Sequence, residues 1–174
     1  MIVLTLQGTV ESFERRLAQH GKVARASMVW ALNRAMAEAR TEIVKKVVST
    51  VKDAGVPAKF VRERVRVQRA SNKRLFSSLI TLTAGIPIDR LKYRRLKKRG
   101  IKAGRRHFPH AFVAFKDRAK PLVFQRRGAE RLPIDRVKLD IKEEADRVSL
   151  AAFNRVASTK LGPLFERELQ RRLK

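Results

Sequence analysis

The chain has 174 residues, the span of one ordinary domain, and 42 lysines and arginines against 16 acids leave a formal charge of +26. Hydrophobic residues make up 44%, enough for a folded core, and at 6% aromatic that core is expected to be aliphatic. The absence of cysteine excludes disulfides, thiolate metal sites and cysteine nucleophiles, no stretch approaches the roughly twenty apolar residues of a membrane span, and Met1 to Gly8 lacks the basic region of a signal peptide.

In chain order, residues 1–8 predict a short strand or arm. Thr9 is placed to cap a helix whose Val10, Phe13 and Leu17 share one face, and Gly21 interrupts it. The strongest helical pattern runs from Val23 to Val51, where Met28, Leu32, Ala35, Ala39, Ile43 and Val47 recur at spacings of three and four. Asp53-Ala54-Gly55 ends it, and Pro57 suits the first turn of a short basic helix. Val65 and Val67, alternating with Arg64, Arg66 and Gln68, predict an exposed strand with a basic outer face. Leu79 to Thr83 predicts another strand, and the apolar runs Ala111 to Phe115 and Leu122 to Gln125 predict a hairpin.

One internal repeat is present. Ile86-Pro87-Ile88-Asp89-Arg90-Leu91-Lys92 is echoed by Leu132-Pro133-Ile134-Asp135-Arg136-Val137-Lys138. Residues before proline are pushed extended, so the copies predict two similar edge strands of one sheet, bulged after the aspartate. Helix returns with Ile141, Ala145, Val148, Ala152 and Val156 on one stripe, and Gly162-Pro163 predicts a break or kink. Beyond it Phe165, Leu169 and Leu173 form a last seam, suited equally to the chain's own core and to a subunit interface. The expected fold is a single α+β domain over residues 1–174: a long N-terminal helix, a central and mostly antiparallel sheet with a flexible basic loop at about 93–108, and a C-terminal helix.

A charge this large on one domain calls for an anionic partner, most commonly a phosphate backbone. Arg90, Lys92, Arg94, Arg95, Lys97, Lys98, Arg99, Lys102, Arg105 and Arg106 fall in one segment whose single acid is Asp89. A second cluster holds Lys59, Arg62, Arg64 and Arg66, continuing to Arg69, Lys73 and Arg74. Both suit phosphate contact without sequence readout, and the scarcity of interleaved aromatics argues against stacking on single-stranded bases. His20, His107 and His110 lack a third metal ligand nearby in sequence, Pro109 disfavouring a helix between the last two. Asp135, Asp140 and Lys142 carry the residue types of a metal-dependent nuclease at a spacing too short for its usual hairpin. No phosphate-binding glycine loop or nucleophile elbow occurs, so no catalytic residue, metal or cofactor is expected and the chain does not read as an enzyme.

The order of several short motifs adds to this. Ala31-Leu32-Asn33-Arg34-Ala35, Val56-Pro57, Val61-Arg62-Glu63-Arg64-Val65, Phe124-Gln125-Arg126-Arg127-Gly128 and the second repeat copy follow one another at spacings that resemble the minor tail protein Z family. These proteins of long-tailed, non-contractile bacteriophages and prophages are also called tail-completion proteins, and the resemblance spans about Ala24 to Lys174. It implies a structural role at the head-proximal end of the tail, late in assembly, with partners among the tail terminator, tail tube and connector. It also implies location in the virion tail, with the host cytoplasm as the place of assembly. Tail symmetry makes a homo-hexameric ring the natural expectation, its basic residues facing phage DNA in the lumen and no membrane involved. The alternative from another class is a free nucleic-acid-binding protein without sequence preference.

Overall fold

The structure is a computed structural model, described over residues 1–7, 11–97, 100–115, 121–128, 130 and 132–174. Strand β1 (Ile2–Gln7) precedes α1 (Glu11–Val51), which bends at Gly21, whose φ of 47° and ψ of −114° leave the helical region. The expected cap at Thr9 lies outside the described residues. Met28, Leu32, Ala35, Ala39, Ile43 and Val47 are all buried, so the predicted stripe is the core face of α1. A 3-10 turn (Lys52–Ala54) closes the helix on Gly55, whose φ of 68° lets its N–H reach the Lys52 carbonyl at 2.9 Å. Helix α2 (Ala58–Arg64) follows with Pro57 at its cap, one position ahead of the first turn.

Strands β2 (Val65–Gln68) and β3 (Phe76–Thr81) complete an antiparallel sheet of order β1-β3-β2. The central strand starts at Phe76, three residues before its apolar run, because Ser77 and Ser78 are buried with their hydroxyls satisfied. Ser77 Oγ donates to the Gln68 carbonyl at 2.7 Å, and Ser78 Oγ lies 3.0 Å from Thr5 Oγ1. This sheet and the C-terminal helices α3 (Lys142–Thr159) and α4 (Leu161–Leu173) pack around α1. Phe13 and Phe165 meet edge to face in that core, ring centroids 5.6 Å apart.

Gly162-Pro163 does not itself form the break in the C-terminal helix. The break falls at Lys160, where φ is −113°, and Pro163 sits inside the first turn of α4. A helical proline removes the bond to the carbonyl four residues earlier and its ring collides with that carbonyl, here Thr159. Relief therefore comes upstream of the proline, and inside a first turn its missing N–H is no loss.

The repeat copies are not two equivalent edge strands of one sheet, as expected: the body of the second pairs in another sheet, and the two share a ladder only where Lys138 stands opposite Pro87. The first supplies β4 (Ile86–Pro87) and then a 3-10 turn (Ile88–Arg90). Strands β5 (Tyr93–Leu96), β6 (Gly100–Ala103) and β7 (Arg106–Phe108) follow. Next come β8 (Ala111–Ala114) and β9 (Leu122–Arg126), the predicted hairpin. The second copy supplies β10 (Ile134–Arg136), which pairs with β9, and leads into β11 (Lys138–Leu139), which pairs with β4. The copies still touch. Ile88 N–H donates to the Val137 carbonyl at 3.1 Å, and Arg136 Nε donates to Asp89 Oδ1 at 2.9 Å. Each aspartate finds its own arginine: the Asp89 side chain is 4% exposed and paired with Arg136, whereas Asp135 pairs on the surface with Arg127.

Candidate nucleic-acid interface

The basic segment is built as strands, not as the expected loop. β5, β6 and β7 form an antiparallel meander in which Arg94 stands opposite Lys102 and Lys102 opposite His107. Alternation puts Ile101 and Ala103 on the buried face, with Tyr93 and Phe108 packed beside them. Arg94, Lys102 and His107 therefore make a row across all three strands on the opposite face. Roughly one apolar residue per strand seats this sheet on the core, too sparse a pattern to stand out among ten cations. Lys98 and Arg99 lie outside the described residues.

Gly104 does more than relax the chain. Its φ is +57°, and a Cβ there would run into the main chain of Asp53, Ala54 and Gly55. Beside it Arg105 N–H donates to the Asp53 carbonyl at 2.6 Å, and Arg105 Nη1 lies 3.6 Å from Asp53 Oδ1. The meander is thus bolted to the C-terminal end of α1.

Its electrostatics are one-sided. Residues 93–108 include no acid, and Arg90, Lys92, Arg94, Arg95, Lys97, Lys102 and Arg106 make no ion pair among the described residues. Like charges directly opposite on neighbouring strands destabilise a sheet by a few tenths of a kcal/mol. An anion laid across the row removes that repulsion.

The second cluster divides. Lys59, Arg62 and Arg64 lie on α2, and Arg66 on β2. Arg64 is half-buried, with Nη1 bonded to the Ala84 carbonyl. Burial pulls its guanidinium below the usual range, and the like charge of Arg90 adds to this. Through Arg64 and Arg90 the two basic clusters meet. Arg62 and Arg66, with Arg69 beyond, instead line a groove against α1. Sequence reasoning missed Arg40 there, whose Nε donates to the Val65 carbonyl at 2.8 Å and whose Nη2 donates to the Arg62 carbonyl at 3.2 Å. Its only signal was its place seven residues after Asn33, on the same side of α1.

Of the three seam residues, Phe165 and Leu169 are buried in the chain's own core, and Leu173 is 48% exposed. Between them Glu168 is buried, its carboxylate taking Arg171 Nε at 2.8 Å and Arg172 Nε at 2.7 Å. The Arg171 bond, aided by Arg172 and against the pull of burial, holds this carboxyl down to about 2. The acids that suggested a nuclease have structural partners: Asp140 accepts the Lys142 N–H at 2.9 Å at the start of α3, and Asp135 accepts Arg127. Among the described residues no group of three or more histidines and acids is arranged to hold a metal, and no helix is long and apolar enough to cross a membrane.

The molecule is thus a small α+β scaffold that carries a one-sided cationic sheet, with many of its described acids held in ion pairs elsewhere. The family is shown by the model for prophage minor tail protein Z (GPZ), which matches residues 10–174, and the chain belongs to that family. It is a phage minor tail protein. No curated protein and no solved structure matches it.

Proposed function

We propose that this minor tail protein completes the tail at its head-proximal end as a homo-hexameric ring, supports head–tail joining, and holds the phage DNA backbone in its lumen without reading sequence. The carrying observation is the row Arg94–Lys102–His107 on a face whose cations have no acids among them. Arg90, Lys92, Lys97 and Arg105 flank that row in the chain, Arg95 and Arg106 stand on the other side of the meander opposite Ile101 and Ala103, and Arg64 on α2, the helix that also carries Lys59, adds its charge beside Arg90. Sixfold repetition would line one axis with many such rows, a charge density that needs DNA or acidic neighbours to be stable. Tail-tube, terminator and connector proteins are the neighbours this reading requires, and exposed Leu173 is the seam residue left for a contact between copies.

The test is absolute copy number in purified particles, by quantitative mass spectrometry against the tail-tube subunit. Six copies are expected. Infectious particles lacking the protein would overturn the ring and leave the free nucleic-acid binder. Substituting serine at Arg94, Arg95, Lys97 and Lys102 together is expected to preserve folding and lower infectious yield, and an unchanged yield removes the meander from the mechanism.

A further inference from the structure

The groove between α1 and β2 runs along a strand edge. β2 is an outer strand of its sheet. The Leu82 N–H donates to the Arg64 carbonyl at 2.9 Å, which sets the phase of the ladder. Arg64, Arg66 and Gln68 direct their main-chain groups to β3, and Val65 and Val67 direct theirs outward. The Val65 carbonyl is already taken by Arg40, and Asn33 closes the far end by bonding both the N–H and the carbonyl of Ala70, at 2.8 and 3.1 Å. Between these two clamps Val67 presents an N–H and a carbonyl into a groove of about 840 Å³, inside the size range of ordinary ligand clefts.

Trp30, Ala37, Val65 and Val67 give this groove an apolar component, and Arg167 lies over the Trp30 ring, 5.7 Å from its centroid. Five arginines line it with a single acid, Glu63. A carbonyl acceptor beside apolar side chains does not complement a phosphate backbone, which offers acceptors only. It does complement a polypeptide, whose N–H pairs with that carbonyl and whose carboxylates meet the arginines. The occupant is not a second copy of this chain: its one acidic run, Asp140 to Asp146, lies across the start of α3, with Glu144 already paired to Arg147.

We propose that this groove docks a short, extended, acidic segment of another protein, which adds to the β2 edge through two main-chain hydrogen bonds at Val67 while its carboxylates engage Arg62, Arg66 and Arg69. The site is separate from the meander, and it stands whether or not the meander binds DNA.

The experiment uses the full chain and three fluorescein-labelled probes: a ten-residue peptide alternating glutamate with valine, a decaglutamate, and a twenty-base-pair duplex. The alternating peptide is expected to bind at least tenfold tighter than decaglutamate. Val67→Pro deletes an N–H that faces away from β3, so it is expected to weaken the peptide at least tenfold and leave duplex binding unchanged. On the unaltered protein, hydrogen exchange at residues 65–69 is expected to slow when the peptide is added. Equal binding of both peptides with no added protection would overturn the docking site. Tighter binding of the duplex, displaced by the peptide and lost in the variant Arg62→Glu, Arg66→Glu, would reassign the groove to nucleic acid. Loss of duplex binding in Arg94→Ser, Lys102→Ser with peptide binding intact would confirm that the two sites are independent.

Discussion

The helical layer and the β5–β7 meander are both rich in cations and treat them in opposite ways. Across α1, α3 and α4 basic side chains find acids: Arg34 and Lys160 with Glu38, Lys46 and Arg155 with Glu42, Arg16 with Glu166, Arg171 and Arg172 with Glu168. On the meander Arg105 pairs with Asp53, both exposed, and this pair anchors the sheet to α1. Charge in the helices is therefore part of how the chain folds. Charge on the meander opposes folding slightly and is available to something outside the chain.

That contrast can be broken most forcefully in the helical layer. Phe165→Ala removes a fully buried ring beside Phe13 and is expected to cost about 3–5 kcal/mol in thermal or urea unfolding, against about 0.5 kcal/mol or less for Leu173→Ala on the same helix. A small loss at Phe165 would mean that α4 is not part of the core. Glu168→Gln comes next, at about 1–3 kcal/mol near neutral pH, because a buried carboxylate satisfies two arginines there. A carboxyl depressed to about 2 when folded adds stability that is fully present above its ordinary value of 4.5 and is lost as pH falls toward 2. The gap between the parent and Glu168→Gln should therefore close over that window, and a gap constant with pH would refute the ion pairing.

The same substitutions in spirit, applied to the meander, should leave stability alone. Arg94→Ser with Lys102→Ser is expected to hold or raise the melting temperature slightly, since it relieves a like-charge pair. If both contact phosphates, the slope of log affinity for duplex DNA against log salt should flatten by about 1.8. Destabilisation together with an unchanged slope would show that these cations serve the fold. Small as well should be Glu42→Gln: its partners Arg155 and Lys46 are more than half exposed, and a change within about 1 kcal/mol is expected.

What the sequence made legible followed the strength of its periodicity. The α1 stripe and the Ile141-to-Val156 stripe were readable because each repeats over four or more helical turns, and a single Gly21 could mark the bend. The meander was not, because strands of three or four residues leave only one or two apolar positions each, hidden among basic residues. The two repeat copies looked equivalent because local sequence is silent on which arginine each aspartate will meet. In the candidate site the cations themselves were evident from composition. Their division between the meander face and the α1–β2 groove was not, since it depends on Arg40, 53 residues before the start of the meander in sequence, clamping an edge strand.

The contact between Gly104 and the 53–55 turn has a mechanical side. From Lys22 to Val51 the helix spans about 45 Å at 1.5 Å per residue, and the meander is fastened to its far end by main chain against main chain, with no side chain between to yield. A pull on the cationic face is thereby passed to the axis of α1 as to a rigid strut, and the nearest joint at which that strut can swing is the bend at Gly21.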